Sequence, residues 1–162
     1  MPSRAELRDR RSRLARTWES LLAGGRPVEG DEPEDLDPGV LDSWRRSSEW
    51  VSPDLAAAPV DDPDDAIAHW RRGPVAHGLA LVEDDVRRVA DDADLIAAVT
   101  DRSGRIVWTH GSRVMQRAAT RVNFVPGGRW DESSVGTNAL ALALRTGRPS
   151  TVYSAEHFSR AV

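Results

Sequence analysis

Apolar positions in the first part of the chain fall at Leu7, Leu14, Trp18, Leu21 and Leu22, a spacing that places them on one face of a helix from about Arg4 to Ala23. Gly24-Gly25 is suited to end it. Arg4, Arg8, Arg11 and Arg13 occupy the other face, so the apolar stripe must dock on the rest of the chain or on a partner. A Pro-, Gly- and acid-rich stretch follows and reads as a linker. Asp37 as cap and Pro38 at the first position then open a short helix to about Ser48, with Val40, Leu41 and Trp44 on its buried side. Ser52-Pro53-Asp54 breaks the run. Asp61, Asp62, Asp64 and Asp65 flank Pro63 just ahead of Ala66, Ile67 and Trp70, where acids suit a helix start better than a metal site.

Val75, Leu79, Val82, Val86 and Val89 give a four-three-four-three rhythm that predicts one long helix from Pro74 to about Ala93. Glu83 with Arg87 and Asp84 with Arg88 stand four apart on its exposed side. The period then changes. Residues 95–100 read as a buried strand, 101–104 as a turn and 105–109 as the returning strand of a hairpin. Ser112 can cap a short helix that ends near Thr120.

Gly127-Gly128-Arg129-Trp130-Asp131-Glu132-Ser133-Ser134-Val135-Gly136-Thr137-Asn138 leads into the apolar run Ala139 to Leu144. This is a loop feeding a core helix, expected over Ser134 to Arg145, with Gly147 as its left-handed cap and Pro149 preventing resumption. The helix is apolar almost all round, as for one packed on both sides. Asp131, Ser133, Ser134 and Thr137 either cap it and tie down the loop or face a ligand; the pattern supplies a site without naming its cargo. Residues 150–153 are expected to form a third strand. The sheet so assembled lacks a return strand and a covering helix, which points to a truncated domain or to completion by a second copy.

Composition narrows the chemistry. There is no Cys, hence no disulfide, thiolate or sulfur-ligated metal site. All 22 basic residues are Arg, which excludes a lysine-dependent phosphate loop and Schiff-base catalysis. Six Trp stand against two Phe and one Tyr, so indole rings must fill much of the core while their N–H groups find partners. The net charge of -4 conceals a basic start and an acidic middle, and the latter argues against a nucleic-acid surface there. With no apolar run near the roughly 20 residues that span a bilayer and no apolar signal core, the expectation is a cytoplasmic protein without membrane contact.

The four His do not fall at metal-ligand spacings, and no metal or other cofactor is expected. Ser154, Glu156 and His157 are near in sequence, the one arrangement that keeps a small hydrolase as an outside alternative. Binding without catalysis is the better reading. Trp108, Met115, Phe124, Trp130 and the start of the buried helix would wall an apolar pocket suited to a small organic molecule, or equally an ordinary core.

Gly128-Arg129-Trp130-Asp131-Glu132 with Gly136-Thr137-Asn138-Ala139, then Glu156-His157-Phe158, resembles the N-terminal sensory region of bacterial transcriptional activators of the acetoin-catabolism type; Ser43-Trp44-Arg45-Arg46-Ser47 with Pro53-Asp54 is similar to the segment preceding it. The resemblance implies an α+β fold, a GAF-like domain with a central antiparallel sheet whose C-terminal strands are missing, preceded by an N-terminal helical segment. The resemblance extends from about Asp42 onward; with the residue pattern ahead of it, the expected organisation is an amphipathic Arg-rich helix at 1–25, an acidic linker at 26–37, short helices at 38–73 and an incomplete sensor domain at 74–162. The resemblance further implies a non-catalytic regulatory domain that senses a small organic ligand, forms a homodimer, and passes ligand state to an output module absent here, without binding nucleic acid itself. Trp130, Glu132, Thr137, Asn138 and His157 fall on characteristic positions of the family. With the pocket residues Trp108 and Phe124 they make up the candidate ligand-binding set. The alternative is a ligand-free dimerisation or protein-interaction module.

Overall fold

The computed structural model describes residues 3–24 and 36–160; Gly25 and nearly all of the 26–37 linker lie outside them. Helix α1 (Arg4–Leu22) opens with a reciprocal cap, Glu6 N–H donating to Ser3 Oγ at 3.2 Å while Ser3 N–H donates to the Glu6 carboxylate. Its stripe docks within the chain. Leu14 and Trp18 are buried against α2 (Pro38–Trp50) and against Leu142 and Phe158 from the far end of the sequence, while Leu7 is left half exposed. Asp37 caps α2 by accepting from Gly39 N–H at 2.7 Å. The buried face of α2 carries Val40, Leu41 and Trp44, and with them Ser43 and Ser47.

Helix α3 (Pro63–Arg71) starts on its aspartates as expected, Asp62 accepting from Asp64 N–H at 2.9 Å. The long helix predicted after it is two: α4 (Pro74–Ala80) and α5 (Glu83–Asp92). Leu81 and Val82 make the break, their N–H groups reaching back only three residues to Gly78 and Leu79. A two-residue interruption leaves the hydrophobic rhythm intact, so periodicity could not see it. The three acids Glu83, Asp84 and Asp85, which favour a fresh helix N-terminus, were the available sign. The stripe is also less buried than its rhythm implies, with Val82 and Val89 exposed. Glu83 pairs with Arg87 as expected, whereas Arg88 pairs with Asp85 rather than Asp84.

The hairpin forms from β1 (Ile96–Thr100) and β2 (Ile106–Gly111), antiparallel, with Val107 as an extra residue between the Val99↔Trp108 and Thr100↔Ile106 pairs. Asp101 organises the turn, its carboxylate accepting from Ser103 N–H at 2.9 Å and Arg105 N–H at 3.1 Å, and Gly104 takes φ +81°. On the far side of β2 the backbone of 127–130 continues the ladder. Ile106 N–H donates to Gly128 O and Gly127 N–H to Ile106 O, both at 2.8 Å. Residues 59–61 pair in turn with that stretch, through Arg129 N–H to Pro59 O at 2.8 Å and Asp61 N–H to Gly127 O at 2.9 Å. Gly127 and Gly128 therefore serve a sheet edge as much as a loop. Helix α6 (Arg113–Arg121), capped by Ser112, packs on the hairpin.

No strand forms at 150–153; Val152 instead packs on the core that α1 and α2 share. The architecture is α+β, a small open antiparallel sheet flanked by N-terminal helices. No described helix is long and apolar enough to cross a membrane.

Candidate functional site

The stretch ahead of Ala139 does not feed one helix. It makes the single turn α7 (Glu132–Val135), stops at Gly136, bends at Thr137, is extended at Asn138, and restarts as α8 (Ala139–Thr146). Gly136 sits at φ +78°, and a Cβ placed there would lie 2.7 Å from Phe158 Cβ, so only glycine lets the chain pass the buried ring. The capping duty expected of Asp131, Ser133 and Ser134 belongs to Asn138, whose Oδ1 accepts from Ala141 N–H at 3.0 Å. Asn138 Nδ2 donates to Trp130 O at 3.1 Å and Gly136 O at 2.9 Å, which commits every polar atom of this buried side chain. Asp131 instead accepts the hydroxyls of Ser133 and Ser134. Gly147, at φ +65°, closes α8 as expected, although Leu144 is exposed and the helix is not packed on both sides.

Between α6, β1 and the start of α8 lies a cavity of about 410 Å³. Met115 and Val122 bound it from α6 and the turn after it, Phe124 and Trp130 from the connecting segment, Leu140 from α8. Phe124 and Trp130 meet edge to face at 4.7 Å, and Trp130 Nε1 donates to Asn123 O at 3.1 Å. Asn138 and His157 complete the wall, which contains no charged side chain. Four candidates, Phe124, Trp130, Asn138 and His157, thus come together.

Three others do not line it. Trp108 stands with His110, ring centroids 6.2 Å apart, beneath the Arg87 guanidinium of α5. Thr137 and Glu132 turn toward α2. Thr137 Oγ1 donates to Ser43 Oγ at 2.8 Å and accepts from Ser47 Oγ at 3.3 Å, and Ser43 Oγ passes its proton-bearing side to the Glu132 carboxylate. Arg46 clamps that carboxylate with two N–H donors, at 3.0 and 2.7 Å, and Arg145 stands 3.6 Å away. Burial pushes the Glu132 pKa up, but the bonds from Arg46 and Ser43 outweigh it and hold the group below the usual glutamate value.

The next residue to the cavity wall makes a second bridge. Glu156, buried beside His157, accepts from Arg10 of α1 at 2.5 Å and from Tyr153 N–H at 2.7 Å, and its carbonyl accepts from Trp44 Nε1 at 2.7 Å. Reading the sequence alone passed over Arg10, Ser43 and Ser47 as partners. Two serines four apart on the buried face of α2, flanking Trp44, were the sign that polar groups would meet there. Of the Trp side chains, Trp44 and Trp130 find acceptors, while Trp18 Nε1 is buried without one.

The arrangement of Ser154, Glu156 and His157 does not make a nucleophile relay. His157 Nδ1 meets the backbone carbonyl of Ser154 at 3.1 Å, not its hydroxyl, and Glu156 points to Arg10. Among the described residues no group of three His, Asp or Glu could hold a metal ion.

No family model matches the chain. It is 31% identical over 157 residues to an uncharacterised 47.3 kDa protein of the thcA 5′ region of Rhodococcus erythropolis, covering 93% of this chain and 35% of that protein. It is also 31% identical over 139 residues to MimR, the propane 2-monooxygenase operon transcriptional activator of Mycolicibacterium smegmatis, covering 78% of this chain and 21% of MimR. The N-terminal part of Escherichia coli DhaR, solved in complex with DhaL, superposes with a TM-score of 0.65 at 19% identity, over 76% of this chain and 43% of that one. The chain is a GAF-like sensory domain related to enhancer-dependent transcriptional activators. The GAF-like domain spans 35% or less of the length of these curated relatives. Kinship with transcriptional activators speaks against an enzyme.

Proposed function

We propose that this GAF-like domain binds a small organic molecule in the cavity behind Phe124 and Trp130 and passes its occupancy to the N-terminal helices, and through them to an output module. The observation that carries the reading is the double link from the cavity wall. Asn138 adjoins Thr137, which is bonded to Ser43 and Ser47 of α2, and His157 adjoins Glu156, which is bonded to Arg10 of α1 and to Trp44 of α2. A ligand that shifts either wall residue must strain a buried polar contact with a helix, and buried contacts of this kind break rather than stretch. MimR and the acetoin dehydrogenase operon activator AcoR of Bacillus subtilis are named for operons of small-molecule catabolism, which supports a ligand of that size; AcoR is 34% identical over 68 residues.

A second cleft, about 870 Å³, lies between α1 and residues 153–155 but is bordered by Arg8, Arg10, Arg11 and Arg13 on the outer surface. It is larger, yet the apolar walls of the smaller cavity suit an organic molecule better. Calorimetric titration with small diols, hydroxyketones and monocyclic aromatics tests the reading. Saturable binding by the wild type that is lost in Ala118→Leu, which fills the cavity from α6, supports it; a folded protein silent to the whole panel refutes it.

The exposed apolar residues Leu81, Val89 and Val114 favour a second reading, a homodimer or a partner surface. Sedimentation of the wild type against Leu81→Arg separates the two, since the dimer reading requires the variant to shift toward monomer while ligand binding persists.

A further inference from the structure

We infer that the cavity selects neutral molecules bearing a hydroxyl or another hydrogen-bond donor, and that His157 Nε2 is the group that reads it. This rests on the reading that the cavity is a binding site and adds the class of ligand. The inference follows from an inventory of the wall. Its aliphatic residues and Phe124 offer no polar side-chain atom, and the Met115 thioether is only a weak acceptor. Trp130 Nε1 is committed to Asn123 O, and Asn138 has both its amide hydrogens and its oxygen engaged.

His157 remains. Its Nδ1 lies 3.1 Å from Ser154 O, and a carbonyl only accepts, so Nδ1 carries the hydrogen. In the neutral ring Nε2 is then a bare lone pair, and among the described residues that line the cavity it is the strong side-chain polar atom left without a protein partner. Burial is the main influence on this imidazole and holds its pKa below the ordinary value against the opposing pull of Ser154 O and Glu156, which keeps the ring neutral at pH 7. A hydroxyl satisfies such an acceptor; a hydrocarbon of the same shape leaves it empty. Carboxylates and phosphates fare worst, since the wall holds no Arg to neutralise them and Nε2 repels their lone pairs.

Phenol, toluene and benzoate, close in shape, form the test. In calorimetry His157→Phe is expected to weaken phenol about tenfold, the value of one hydrogen bond, while changing toluene less than about twofold. His157→Gln, whose Oε1 replaces the lost acceptor, should restore the phenol affinity, and benzoate should bind the wild type more weakly than phenol. Equal losses for phenol and toluene, or benzoate binding more tightly than phenol, would overturn the inference while leaving the cavity as a binding site. Silence to phenol and toluene alike would overturn both. If His157→Phe does not fold, the wild type labelled with ¹⁵N-histidine decides: the Nε2 resonance must move on adding phenol and stay in place with toluene, and an Nε2 signal unmoved by saturating phenol sinks the idea.

Discussion

Thr137 Oγ1 donates to Ser43 Oγ at 2.8 Å, joining two buried hydroxyls that are 94 positions apart in the chain. The bond ties the approach to α8 to the middle of α2, and its protons run in one direction, from Ser47 through Thr137 and Ser43 to Glu132. A chain of hydroxyls donating in one direction ends on an acceptor, and an ionised carboxylate, which only accepts, fixes that direction. Protonating Glu132 would add a competing donor at the end of the relay.

Ser43→Ala removes the middle of the relay and leaves the Thr137 hydroxyl without an acceptor. A loss of about 1–3 kcal/mol is expected in urea unfolding. Thr137→Val should cost a similar amount, and the double variant less than the sum, because the second deletion removes a group the first had already stranded.

Acid should loosen the same contact. The folded pKa of Glu132 lies below its unfolded value, so its contribution to stability is complete above the unfolded value of about 4.3 and is lost as pH falls through the folded one. Urea midpoints measured from pH 6 downward should fall more steeply for the wild type than for Glu132→Gln, which cannot titrate. Parallel curves would show that Arg46 and Ser43 do not set the charge state.

Gly136→Ala should be among the most damaging single changes. It forces a side chain into a backbone conformation at φ +78° that L-residues rarely adopt, and drives the new methyl against the fully buried Phe158. We expect at least about 3 kcal/mol of destabilisation, with Gly147→Ala, whose Cβ would meet nothing within 4 Å, costing clearly less.

Asn138→Ala deletes a helix cap, worth about 0.5–2 kcal/mol, and also strips Trp130 O and Gly136 O of their donor. The total should approach 2–4 kcal/mol, roughly the cap plus one buried unsatisfied group. Asn138→Asp keeps the cap acceptor but turns a carboxylate toward those two carbonyls. Its deficit should be larger at pH 7 than at pH 4, where the proton returns.

Much of this was written in the sequence. The stripe of α1, the caps at Asp37 and Ser112, the aspartate-led start of α3, the turn at Asp101 to Gly104 and the stop at Gly147 all follow from interactions spanning a few residues, and all formed where expected. Of the cavity wall, Phe124, Trp130, Asn138 and His157 are residues that type and motif single out in the sequence. The failures share a different cause. One helix was expected over Pro74 to Ala93 and another over Ser134 to Arg145, because apolar rhythm survives a short interruption; Val82 and Gly136 break them for reasons the rhythm does not carry. Trp108, a candidate by residue type, and Glu132 and Thr137, candidates by motif, lie away from the cavity, and their partners, His110 with Arg87, Arg46 and Ser43, come from elements that pattern alone does not place beside them.

The sequence by itself determined the local conformations, since caps, turns and apolar spacing are settled between residues close in the chain. Only the tertiary structure decided what Glu132 and Thr137 face, because a buried hydroxyl or carboxylate must be satisfied by whatever group packing brings within reach, and here that group lies on a helix some ninety residues away.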